Sequence, residues 1–186
     1  MLRDTGGMVC ATAMGEFPYM TQSFRGPSVH GRARAAGVAT GIGQDVSLAL
    51  PFDYFEHCRA AFWNLYLDEE SRKVVEGYRS EDTLDFATAL GARAMRLGDV
   101  TGTITVGKRA DLVLLRTDRP AFSHVGSLAD RVLNFAARED IDSVWVAGVA
   151  RKRNGKLLGV DLEKLNLQRQ AAQARIQRDA ATITFT

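Results

Sequence analysis

Asp45 follows a glycine-bearing apolar run, Val38-Ala-Thr-Gly-Ile-Gly43, that reads as a strand. In open α/β sheets and α/β barrels, ligands and catalytic groups collect at the C-terminal ends of strands. A carboxylate placed there can ligate a divalent cation or move a proton. Aspartate also caps turns and helix starts, so a purely local role for Asp45 stays open. The histidines are His30, His57 and His124, and no two have His-x-His or His-x₃-His spacing. A catalytic zinc draws on about three protein ligands, and these residues offer no such set. Each histidine therefore reads as a packing or surface residue. Cys58 falls on the apolar stripe of a helix, where a thiol packs more often than it reacts. No Gly-x-Ser-x-Gly occurs. Gly41-Ile-Gly43-Gln-Asp-Val46 lacks the third glycine of a dinucleotide fingerprint. In Gly102-Thr-Ile-Thr-Val-Gly107-Lys108 the second glycine comes one residue too early for a phosphate loop. Nucleotide binding is not expected.

The elements around Asp45 follow from periodicity. Gly7 to Thr12 reads as a short buried strand, residues 13–28 as loop, and Val29 to Ala36 as a short helix ended by Gly37. From Asp53, a suitable N-cap, Phe55, Cys58, Phe62 and Leu65 recur at helical spacing. A second helix is predicted from Ser80, with Glu81 and Asp82 in its first turn, Leu84, Ala87, Leu90, Gly91 and Ala94 on its inner face, and Gly98 as its stop. Beyond Gly98 the pattern turns to β. Strand-like runs cover Gly102–Gly107, Ala110–Leu115, Ser143–Val146, Val149–Arg153 and Lys156–Leu158, with Asn154-Gly155 as a hairpin turn. Trp145 reads as core. Arg151-Lys152-Arg153 reads as a solvated hairpin edge. A last helix, opened by Asp161 and running from Leu162 to Gln177, is expected to dock on its own domain, with residues 179–186 as a loose tail.

Composition sets outer limits. The chain has 186 residues, 46% apolar and 25% charged, with 24 Lys and Arg against 22 Asp and Glu. That balance and the lack of a basic block argue against nucleic acid as a partner. No apolar run approaches the roughly 18 residues of a membrane span, and the start lacks a signal-peptide layout. Two cysteines cannot make a disulfide scaffold and suit a reducing cytoplasm. A complete (β/α)₈ barrel needs about 250 residues, more than this chain has.

Several segments resemble the metal-dependent amidohydrolase superfamily. Gly102-Thr-Ile-Thr-Val-Gly-Lys-Arg-Ala-Asp-Leu-Val-Leu-Leu115 looks like that family's "G-x-I-x-x-G-K-x-A-D-L-V-L-L" strand pair. Asp85 to Gly98 is similar to its "A-T-x-x-G-A-x-A-L-G-L" helix. Val144 to Gly155 is similar to its "V-x-V-x-G-x-x-V-x-x-x-G" strands. Ala36 to Asp45 resembles "A-G-V-x-x-x-L-G-T-D", with Gln44 in place of the threonine, and Asp53-Tyr-Phe-Glu-His-Cys-Arg59 resembles "D-M-F-x-x-M-R". The combination points to the cytosine deaminase-like and chlorohydrolase-like branch and covers Gly7 to Leu162.

The resemblance implies an α/β fold: the last two β/α units of an incomplete (β/α)₈ barrel, followed by the C-terminal half of a composite β-sandwich. Residues 1–98 would be barrel, 99–160 sandwich strands, and 161–186 the final helix and tail. Asp45 takes the position of the family's Asp after the last barrel strand, which ligates the metal and shuttles protons. The implied reaction is attack of metal-activated water on a non-peptide C–N or C–Cl carbon. The implied partners are a divalent metal, Zn or Fe, a small cyclic nitrogen-containing substrate, and the missing barrel portion or another subunit. The family's other metal ligands and its catalytic Glu fall before the region present, and none of the three histidines sits on a ligand position. The chain alone is therefore expected to bind no metal and to be inactive. The alternative is a non-catalytic remnant acting as an α+β interaction module.

Overall fold

The computed structural model describes residues 1–16, 28–45, 50–66, 72–73, 76–123 and 125–182. His124, most of the loop predicted over 13–28, and the end of the tail lie outside the described residues. Strands β1 (Met8–Ala11) and β2 (Ala39–Ile42) pair in parallel, with Met8 opposite Ala39 and Ala11 opposite Ile42. Parallel strands need a crossover, and helix α1 (Val29–Ala35) lies in it. Ser28 caps α1, its hydroxyl accepting the Gly31 N–H at 2.9 Å.

Helix α2 (Tyr54–Asn64) starts where the sequence places it, with the Asp53 carboxylate accepting the Phe55 N–H at 3.0 Å. Cys58, Ala61 and Leu65 on its inner face join Ile42, Tyr78, Phe86 and Leu133 in the apolar core. Arg59 fixes the helix against the next layer by donating to the Leu133 and Ala136 carbonyls at 3.2 and 2.8 Å. These oxygens lie at the end of a helix, where carbonyls lack intrahelical partners and a cation is favoured.

The single helix predicted from Ser80 is two helices, α3 (Ser80–Ala87) and α4 (Ala89–Ala94). Thr88 breaks it: its backbone leaves helical geometry and its hydroxyl donates to the Leu84 carbonyl at 2.7 Å. The break lets α4 lie close on β2, where a Cβ on Gly41 would stand 3.2 Å from the Gly91 Cα. Small residues at this crossing are thus a packing requirement. The inner face also differs from expectation. Ser80, Thr83, Phe86 and Ala92 are the buried residues, while Leu84, Ala87 and Leu90 are half-buried.

The second layer is a four-stranded antiparallel sheet in the order β3 (Leu112–Leu115), β4 (Ile141–Val146), β5 (Val149–Arg153), β6 (Lys156–Leu157). Helix α5 (Leu128–Phe135) lies between β3 and β4 in sequence and packs on α3. The β5–β6 turn has Asn154 at φ 49° and Gly155 at φ 76°, both left-handed, as the Asn-Gly pair predicts. Residues 102–107 do not form the predicted strand. Ile104 is 92% and Val106 103% exposed, and no neighbour among the described residues supplies a ladder. Trp145, expected in the core, is half-buried.

Arg119 and Asp140 tie the sheet to α5. The Asp140 side chain is 1% exposed, accepts from the Arg119 guanidinium, and also accepts the Ala137 N–H at 2.9 Å. Arg119→Met strands a buried carboxylate on one remaining hydrogen bond. Because Arg119 is 40% exposed, the loss falls below that of a fully buried pair, at about 2 kcal/mol. Urea unfolding checks this, and an unchanged midpoint contradicts it.

Helix α6 (Leu162–Ala180) is capped by Asp161 as expected, but it does not dock. None of its residues is buried, and Leu162, Leu165, Leu167 and Ile176 are each more than half exposed. Its apolar residues are separated by Arg169 and other polar groups, so this chain gives the helix no continuous face to bury.

Candidate functional site

The C-terminal ends of β1 and β2 lie side by side, Ala11 opposite Ile42. Asp45 stands three residues beyond Ile42, at that shared end, and is exposed. The segment leading to it is pinned at successive residues. The Gly43 N–H donates to the Ala11 carbonyl at 2.9 Å, extending the parallel ladder by one bond. The Tyr54 hydroxyl donates to the Ile42 carbonyl at 3.0 Å, and burial raises that phenol well above its ordinary pKa. Gln44 donates through Nε2 to the Pro51 carbonyl at 3.0 Å. His57 Nε2 meets the same oxygen at 2.9 Å.

Among the described histidines, His30 and His57 are both buried. His30, on α1, is fully buried, with Nδ1 3.3 Å from the Thr40 hydroxyl and its ring edge-on to Phe86 at 4.3 Å. Burial, reinforced by the Arg34 cation, pushes its pKa down to about 4. His57 is also fully buried, on α2. Among the described residues, no group of three or more His, Cys, Asp or Glu side chains could hold a metal ion. Asp45 belongs to no such group among the described residues.

The buried Cys58 is a poor nucleophile. Burial pushes the Cys58 thiol up to about 12, so it stays protonated at neutral pH. Cys10 is exposed on β1 and lines a cleft of about 720 Å³ between the parallel strands, α4 and β3. That cleft is walled by Met8, Ile42, Ala92, Met95 and Ile104, an apolar lining with little chemistry. Its carboxylate, Asp111, is already engaged: Oδ1 accepts the Ala147 N–H at 2.6 Å, and this bond, with others, holds the carboxyl below its ordinary pKa. The motif most specific in sequence, Gly102–Leu115, is thus structural. Lys108 likewise donates to the Gly98 carbonyl rather than facing a ligand.

The sequence singles out Asp45 as a candidate but not Gln44, Tyr54 and His57, which hold the segment leading to it. The only signal in the sequence was their place within the two short motifs that carry the resemblance, Ala36–Asp45 and Asp53–Arg59.

Comparison with known proteins gives one consistent answer. A sequence model described as "Amidohydrolase family" matches residues 14–150. A 5-methylthioadenosine/S-adenosylhomocysteine deaminase of Desulforudis audaxviator is 34% identical over 155 residues, 78% of this chain and 33% of that protein. Its namesake in Carboxydothermus hydrogenoformans is 31% identical, over 72% of this chain and 30% of that protein. Among solved structures, a zinc-bound adenosine deaminase from Xanthomonas campestris superimposes with a TM-score of 0.76 at 26% identity, covering 91% of this chain and 37% of the other. An atrazine chlorohydrolase from Arthrobacter aurescens shares the fold, with a TM-score of 0.64 at 18% identity over 91% of this chain and 36% of the other. The chain spans about a third of the length of these relatives.

Proposed function

The chain belongs to the amidohydrolase family, and on that premise we propose that it is the C-terminal part of a metal-dependent hydrolase of non-peptide carbon–nitrogen bonds, deaminase-like in its chemistry. In this reading residues 1–98 are the end of the barrel, with β1 and β2 as its last two strands. Residues 99–160 are the C-terminal half of a composite β-sandwich, and 161–186 form the final helix and tail. The observation that carries the reading is the parallel pair with Asp45 at its C-terminal end, within a fold whose zinc-bound relative aligns over 91% of this chain. The proposed compartment is the cytoplasm. No helix among the described residues is long and apolar enough to cross a membrane.

Asp45 is the residue assigned to chemistry. An exposed carboxylate at this strand end can take a proton from an attacking water and deliver it to the leaving nitrogen. Zinc or iron belongs to the complete site, whose other donors come from the remainder of the barrel or another subunit. This chain by itself is inactive. The proposed substrate is a small cyclic nitrogen compound of the adenosine type, following the names of its relatives.

A second reading, a non-catalytic α+β interaction module, draws on the wholly exposed helix α6. The DNA upstream of the Met1 codon, resequenced to exclude a frame error, separates the two. A continuous frame encoding His-x-His, whose product releases ammonia from methylthioadenosine, is the expected result. A confirmed in-frame stop with no complementing frame nearby overturns the enzyme reading in favour of the module.

A further inference from the structure

We propose that His57 is a positioning residue for Asp45, acting through the Pro51 carbonyl and Gln44; this rests on the catalytic reading of Asp45 above. A carbonyl oxygen only accepts hydrogen bonds, so the 2.9 Å contact requires the proton on His57 Nε2. The same oxygen accepts from Gln44 Nε2 at 3.0 Å, so both of its lone pairs are engaged. Gln44 is the residue immediately before Asp45. One carbonyl therefore couples the buried face of α2 to the residue preceding the reactive carboxylate.

The coupling has a rigid anchor. His57 is fully buried and its ring lies against Tyr54, centroids 6.5 Å apart and planes at 29°. Tyr54, three residues earlier on the same helix, bonds the Ile42 carbonyl three residues before Asp45. α2 is itself fixed at both ends. The Asp53 Oδ2 accepts the Arg138 N–H at 3.2 Å, and Asn64 donates to the Ala13 carbonyl at 2.7 Å. The helix thus grips the strand end and the segment beyond it at two separate points. A catalytic group must be held within a fraction of an ångström of its productive place, and bonds from a rigid element do this better than a free loop.

His57 Nδ1 is buried and has no hydrogen-bond partner among the described residues. If packing were the only demand at this site, an apolar side chain would fill it without burying an unpaired nitrogen. A side chain kept for its Nε2–H accounts for the choice. The position therefore needs a donor, and glutamine can supply one from a similar distance.

Two measurements test this. In the 186-residue chain, long-range ¹H–¹⁵N correlation of His57 should show the Nε2–H tautomer alone; an Nδ1–H tautomer or an averaged pair overturns the proposal. In the complete protein assayed with methylthioadenosine, His57→Leu should lower kcat about tenfold or more with KM within about twofold, and His57→Gln should recover most of the loss. Wild-type kcat in His57→Leu overturns the inference, provided Asp45→Asn in the same protein is inactive. An active Asp45→Asn overturns the catalytic reading itself and the positioning role with it. Failure of the Gln variant to recover activity assigns His57 to packing and also overturns the proposal.

Discussion

Asp45→Asn lowers kcat of the complete hydrolase by about 10²- to 10⁴-fold, the range expected when a proton-transferring carboxylate is lost. The substitution is nearly isosteric and retains one oxygen, but the amide neither takes nor returns a proton at neutral pH. Asp45 is exposed, so the fold has little at stake in the exchange. Melting temperature should move little while turnover collapses, and ammonia release from methylthioadenosine measures the second. A variant within twofold of wild type would show that Asp45 is a turn residue.

Acidification should weaken the fold through His30. In the unfolded chain this histidine takes its proton near pH 6.5; in the fold, burial and the neighbouring Arg34 hold the pKa down to about 4. Between those values the unfolded state binds more protons, so stability falls as the pH drops from about 6.5 to 4 and the loss levels off below. A difference of this size corresponds to about 3 kcal/mol. Arg34 cannot move aside freely, because its guanidinium lies 4.3 Å above the Tyr78 ring and faces Phe86. Urea unfolding at pH 7 and pH 4, compared with His30→Gln, isolates the effect. The variant should lose most of this pH dependence, and an equal slope in both proteins contradicts the assignment. Asp130, held low chiefly by the Ser80 hydroxyl, also loses its contribution on acidification, but at lower pH, below the ordinary carboxylate range.

Local signals were legible where local chemistry decides the outcome. Asp53 and Asp161 cap their helices through their own side chains. Asn154-Gly155 makes its turn because both residues accept a left-handed backbone. Two of the misses share another cause, dependence on a neighbour distant in sequence, and the break at Thr88 is a local one. Residues 102–107 have strand-like composition, yet a strand needs a partner, and the described chain gives it none. Helix α6 has apolar residues, but whether they are buried depends on what lies beside them. Thr88 fits a helix by composition but breaks one through its bond to Leu84.

The candidate site divides in the same way. Asp45 could be found because a carboxylate after a strand is visible along one segment. His57 and Gln44 meet on Pro51 only after α2 folds back over the end of β2. Their relation is geometric, and no spacing rule expresses it.

In the proposed assignment Asp45 joins a metal site whose other donors lie outside the described residues. Equilibrium dialysis of the purified 186-residue chain against micromolar Zn²⁺ at neutral pH tests it most directly. Well under one bound zinc per chain, unaltered by Asp45→Asn and with no ammonia released from methylthioadenosine, is the predicted result. One zinc per chain that disappears in Asp45→Asn, accompanied by ammonia release, would contradict it.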